Sequence, residues 1–232
     1  MKDSSSPLLL PAPYPPREIW ILGAGRFGQL AAHRLSRRHP NASFTVIDVR
    51  EEKLNRIREE LGFAVHAKEV IPFLLARASL PDDVWIIPAV PIHVAYQWLL
   101  ARLSTKGQAH SLHVPEAVDR QVPNPYRVPS GTVYSSFATF ICPDGCNEPE
   151  EMCTSTGKPR LGNLFEHLNR IELPSVGVVV VRSWQLAPGV GGYPGNYLES
   201  RLDDISQREG TYLVATSCRC HGVIDLLEWS SK

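Results

Sequence analysis

Hydrophobic positions along this chain change their period in a regular order. REIWILG at residues 17–23 is a short apolar run that enters a glycine turn, and RFGQLAAHRLSRRH after it brings Phe27, Leu30, Ala31 and Leu35 round at helical spacing. SFTVIDV at 43–49 reads as a second buried strand, and REEKLNRIREELG as a charged amphipathic helix stopped by Gly62. A short strand at 63–66, a helix at 69–78, a strand at 84–87 and a helix at 92–103 follow. Strand and helix alternating in this way predict an α/β fold, a Rossmann-type parallel sheet with helices on both faces.

The pattern breaks just after a short strand expected at 111–114. Pro115, Pro123, Pro125 and Pro129 gather in the stretch 115–130, which is expected to link two halves. Beyond it, 131–141 predicts a strand or hairpin, 163–171 a helix and SVGVVVVRSW at 175–184 a buried strand. A helix at 197–208, a strand at 210–217 and a closing helix at 221–229 complete the reading. The expected organisation is an extended or disordered tail at 1–16, a Rossmann NAD-binding domain at 17–114, a linker at 115–130 and a second, smaller α/β domain at 131–232. QLAPGVGGYPGN at 185–196 is a glycine-rich loop that either binds an anion through its amides or crosses the sheet edge.

Composition narrows the partners. Lysine plus arginine equals aspartate plus glutamate at 24 each and the pI is near 7.1, so no global basic field draws nucleic acid or anionic lipid. Small molecules or proteins are the expected partners. The apolar triplet Leu8 to Leu10 is too short for a signal segment or a membrane span, which predicts a cytoplasmic protein without membrane insertion. The chain has five cysteines, all in the second half. In a reducing cytosol that clustering argues for metal or redox use over a disulfide framework.

GAGRFG sets Gly23, Gly25 and Gly28 at G-x-G-x-x-G spacing after a strand and at the opening of a helix. Asp48 stands at the end of the second strand, about 20 residues beyond Gly28, where a carboxylate accepts the ribose hydroxyls of an adenosine. Together they predict a cofactor site of Gly23, Gly25, Arg26, Phe27, Gly28, Asp48 and Arg50. A carboxylate there repels a 2′-phosphate and favours NAD(H), Arg50 is a counter-signal, and another adenosine ligand is the alternative. IWILGAGRFGQLAAHRLSRRHPNASFTVIDVREEKL resembles the TrkA-N (RCK) nucleotide-binding domain of potassium-uptake regulators, a resemblance that runs over about residues 17–103. It implies NAD(H) or adenine-nucleotide binding at Gly23, Gly25, Gly28 and Asp48. Because such domains pair, it also implies a homodimer.

Candidate chemistry lies in three further places. His93, in IIPAVPIHV, follows the fourth strand where a Rossmann sheet delivers residues toward a nicotinamide; it is either a proton donor or acceptor or a capping residue. Cys142, Cys146 and Cys153 are spaced C-x3-C-x6-C, and Cys218 and Cys220 precede His221 as C-x-C-H. Zinc knuckles favour C-x2-C pairs, whereas iron–sulfur clusters tolerate irregular spacing and often carry a proline after a ligand, as in Cys142-Pro143. The expected site is an iron–sulfur or related iron centre on the first three cysteines plus Cys218 or Cys220, with zinc the alternative. A helix after Cys220 is expected to stabilise its thiolates, and His221, Cys218 and His93 are the catalytic candidates. The functional reading is a cytoplasmic NAD(H)-binding redox protein; the alternative is a nucleotide-sensing regulatory module with structural zinc.

Overall fold

The computed structural model describes residue 12 and residues 14–231. The expected tail at 1–16 therefore lies mostly outside the described residues. Where it enters them, Tyr14 packs edge-on against Trp85 with ring centroids 5.9 Å apart.

Strands β1 (Glu18–Leu22), β2 (Ser43–Asp48), β3 (Ala64–Ala67) and β4 (Val84–Pro88) are parallel in the order β3-β2-β1-β4. Ile19 to Leu22 and Val84 to Ile87 are almost fully buried, as strands covered on both faces must be. The crossovers are α1 (Arg26–Arg38), α2 (Glu51–Leu61) and α3 (Val70–Leu75). Gly62 ends α2 in the left-handed region at φ 70°, its N–H returning to Arg58 O at 2.9 Å. These elements and their parallel register bear out the predicted Rossmann sheet.

The second half departs from expectation. Strands β9 (Trp184–Ala187) and β10 (Val190–Pro194) form a hairpin that joins the first sheet, β10 running antiparallel on the β4 edge. The glycine-rich segment is thus mostly strand. The second sheet holds β6 (Tyr126–Arg127), β7 (Val133–Ser136), β8 (Val176–Arg182), β11 (Gly210–Ser217) and β12 (His221–Ser231), and β5 (Gly107–Leu112) also pairs with β12. One edge of β12 pairs with β11; the other is shared by β7 at its start and β5 at its end. Residues 221–229, expected as a helix, are therefore strand. Ile224 to Leu227 are buried on both faces, so their apolar side chains do not alternate and imitate a helical face.

Helices α4 (Val94–Lys106) and α6 (Gly195–Ser206) fill the space between the sheets. Val94, Tyr96, Trp98, Leu99 and Leu103 of α4 are buried on more than one side, in a continuous core that runs from Ile19 and Trp85 to Val181, Val214 and Trp229. A smaller core under α5 (Leu164–Leu168) covers the far face of the second sheet. The expected boundaries at 114 and 131 do not separate the sheets, since β5 lies in the second and β9 and β10 in the first. The proline-rich stretch between them is built structure. A 3₁₀ turn at Glu116–Gln121 is braced by Arg127, whose Nε and Nη2 reach the Asp119 carboxylate at 2.7 and 2.8 Å. Among the described residues no helix is long and apolar enough to cross a membrane.

Candidate functional site

The turn from β1 into α1 is shaped by its glycines. Gly23 sits at φ 113°, and a Cβ there would lie 2.5 Å from Ala89 O. A Cβ on Gly28 would lie 1.9 Å from Gly23 O, so α1 seats on the turn because that residue has none. Gly25 faces open space, with only Arg50 Nη2 as near as 4.0 Å to its added Cβ. No side chain caps α1 and no acid stands in its first turn. Its leading amides and positive dipole end fit an anion such as a pyrophosphate.

Asp48 is buried beneath this turn. Its Oδ2 accepts the Ala24 N–H at 2.7 Å, and its Oδ1 accepts the backbone N–H and Nε of Arg50 at 2.9 and 3.1 Å. Burial pushes the carboxyl pKa up, but the hydrogen bonds from Arg50 and Ala24 outweigh it and hold the value at about 2. The carboxylate expected to accept a ribose is therefore ionised, with Arg50 folded across it. The glycine turn and this carboxylate together fit a dinucleotide.

A cavity of about 910 Å³ opens beside the turn. Its wall takes Phe27 from α1, Pro88 from the C-terminal end of β4, and all five cysteines. None of the five is in a disulfide. Cys142, Cys146 and Cys153 lie on the irregular segment after β7, and Cys218 and Cys220 lie in the β11–β12 hairpin turn. No helix follows Cys220, so the expected dipole is replaced by hairpin amides. The Cys218 Sγ accepts the N–H groups of Cys220 and His221 at 3.4 Å each. Likewise the Cys146 Sγ accepts the Glu148 N–H at 3.3 Å, and Cys153 receives the Thr156 hydroxyl and the amides of Thr156 and Ser155.

Electrostatics separates these thiols. Hydrogen bonds from Thr156 and Ser155 lower the Cys153 pKa, whereas burial raises Cys142, Cys220 and, most strongly, Cys218. Cys146, Cys153 and Cys220 also stand close enough to Cys142 to raise it further. Arg160 donates to Cys220 while its Nε and Nη2 are buried with no partner, so the cluster has cationic donors waiting for an acceptor. Burial lowers the His221 pKa and favours a neutral imidazole, whose Nδ1 lies 3.8 Å from Cys218 Sγ. Among the described residues, no group of three or more His, Cys, Asp or Glu side chains is drawn together as metal ligands.

The cysteine segment is fastened to the nucleotide turn. Arg26 pairs with Asp144, and Arg34 Nη1 donates to Asp144 O at 2.6 Å. Gly189 N–H donates to Cys146 O at 2.9 Å, so this glycine of the β9–β10 turn packs on the cysteine segment and its amide is not offered to an anion. Arg34, Asp144 and Arg160 carry no motif, and the sequence reading passes over them. His93 is the N-cap residue of α4, but its side chain neither caps the helix nor faces solvent: it is buried, with Nδ1 2.7 Å from Asp225 Oδ2 and Nε2 2.8 Å from Thr216 Oγ1.

Comparison with known proteins places this geometry. The AF_1314_C profile, described as an uncharacterized protein, C-terminal domain, matches residues 95–230, more than half of the chain. The chain belongs to this family. The TrkA-N domain profile matches residues 19–107, in agreement with the resemblance read from the first half. The two matches overlap on α4. An uncharacterized protein of Archaeoglobus fulgidus is 28% identical over 224 residues, spanning 90% of this chain and 98% of that protein. A solved domain from Corynebacterium diphtheriae, named for precorrin-6Y C5,15-methyltransferase, covers 53% of this chain and 81% of its own at 17% identity and a TM-score of 0.26. A likeness that low carries no argument.

Proposed function

We propose that this member of the AF_1314_C family is an NAD(H)-binding redox protein whose cysteines hold an iron–sulfur centre at the far end of the nucleotide site. The observation that carries the reading is a single cavity wall containing Phe27 and Pro88 of the Rossmann half together with Cys142, Cys146, Cys153, Cys218 and Cys220. In open α/β sheets, ligands lie beyond the carboxyl ends of the strands, which is where Pro88 ends β4. Amide-to-sulfur hydrogen bonds at Cys146 and Cys218 stabilise thiolate, and the unpaired Arg160 nitrogens offset the negative charge such a centre brings.

When bound, the nucleotide supplies a hydride and the cluster a one-electron site. This chain's part is to orient them: the glycine turn and α1 seat the pyrophosphate, Asp48 and Arg50 the ribose, and the Arg26–Asp144 and Arg34 contacts hold the thiols beside it. A homodimer in the cytoplasm is the working assembly, carried over from TrkA-N domains.

Anaerobic purification followed by iron, zinc and acid-labile sulfide analysis tests the reading. A brown protein with iron and sulfide, lost in Cys146→Ser, is expected. A colourless protein with stoichiometric zinc overturns the iron–sulfur centre and favours a nucleotide-sensing regulator with a structural metal.

A further inference from the structure

Three side chains from distant parts of the chain meet behind the cavity wall. His93 leads into α4, Thr216 stands near the end of β11 and Asp225 is on β12. The imidazole bridges the other two at 2.7 and 2.8 Å, and Asp225 Oδ1 also accepts the Thr132 hydroxyl at 2.7 Å. Tyr96 of α4 stacks on the His93 ring at 5.7 Å, with its own hydroxyl donated to Ser111 and Leu226 O. Around His93, Asp225 is thus the carboxylate and Tyr96 the other titratable group. Of the three bridged residues, Thr216 lines the cavity.

Hydroxyl, imidazole and carboxylate within hydrogen-bond reach, in that order, are the parts of an acid–base device: the carboxylate sets the tautomer and the imidazole trades protons with the hydroxyl. The neighbouring hydroxyl of Ser217 is spent on the carbonyls of Cys218 and His221. Phe27, Phe140, Ile141 and Leu161 are exposed around the same cavity and give it an apolar mouth.

We propose that Thr216, His93 and Asp225 form the proton relay of this cavity and serve a carbonyl–alcohol substrate pair with an apolar body. The proposal rests on the nucleotide reading above. In the reducing direction, hydride from the reduced nicotinamide adds to the carbonyl carbon and the C=O π pair moves to oxygen. The Thr216 hydroxyl gives its proton to that oxygen, and His93 Nε2–H refills Thr216. His93 ends neutral, its Nδ1–H still donated to Asp225; the nicotinamide is oxidised, the carbonyl is reduced, and one proton has left His93.

The test uses the full chain, NADH and benzaldehyde as the probe. Wild type is expected to consume NADH, and Thr216→Val to lose turnover by about 100-fold, in the range for a removed general acid. NADH affinity by calorimetry stays unchanged in Thr216→Val, and Thr216→Ser restores turnover. Independently of activity, histidine ¹⁵N NMR is expected to show His93 protonated at Nδ1 in wild type, and to lose that preference in Asp225→Asn. Failure to bind NADH overturns the nucleotide reading. Binding without benzaldehyde turnover, a fully active Thr216→Val, or a His93 protonated only at Nε2 overturns the relay.

Discussion

Asp48→Asn isolates the electrostatics beneath the glycine turn. The carboxylate is 4% exposed and accepts hydrogen bonds from Ala24 N–H, Arg50 N–H, Arg50 Nε and Arg50 Nη2. Its pKa falls from 3.8 to about 2, a net preference for the charged form that equals roughly 2.5 kcal/mol. The Arg50 side chain is half-exposed and solvent screens its share, so the expected loss in Asp48→Asn is about 1–2 kcal/mol. Because the folded pKa is depressed, this stability is fully present above the unfolded value of 3.8 and disappears as pH falls through about 2. Thermal unfolding of wild type and Asp48→Asn should therefore differ at pH 7, with a Tm gap of about 2–8 °C for a chain of this size. The gap should narrow steadily below pH 4. Equal stability at pH 7, or a gap that persists unchanged to the acid limit, refutes the charge-based account. The Asp48→Ala protein should also bind NADH more weakly in calorimetry; unchanged binding refutes the ribose contact.

Two further outcomes follow from the buried groups. In reduced, chelator-treated protein at neutral pH, limiting maleimide should label Cys153 first, because Thr156 and Ser155 lower its pKa, and Cys218 last, because burial raises it; peptide mapping that finds Cys218 first contradicts this. The Tyr193 hydroxyl is fully buried with no hydrogen-bond partner among the described residues, so Tyr193→Phe should be neutral or stabilise by up to about 1 kcal/mol in thermal unfolding, and a comparable loss of stability would sink that view.

The nucleotide half was legible because its signals are local. Glycine spacing, the Asp48 position and the 3.6-residue period of α1 and α2 each report on a few neighbouring residues, and the fold agrees with them. The second half misleads where burial removes the period. β12 lies between α4 and α5 and is apolar on both faces, so its sequence does not distinguish strand from helix. The cysteine spacings indicated that distant thiols share a site, but not that Arg34 and Asp144 fasten one group to α1. The roles of Thr216 and Asp225 were beyond reach for the same reason: single threonines and aspartates carry no pattern, and only the β11–β12 register brings them to His93.

The two sheets are laced together by both strand pairing and helix packing. Parting the halves would tear β10 from β4 and pull α6 off strands of both sheets at once. The segment between β7 and α5, which carries three of the cavity's cysteines, rests on α1 through the side chains of Arg26 and Arg34. Arg26 opens α1, so under the proposed nucleotide reading the occupation of that site and the seating of this segment draw on the same residue. On that reading, nucleotide binding and the thiol-bearing wall of the cavity are coupled through a single exposed ion pair.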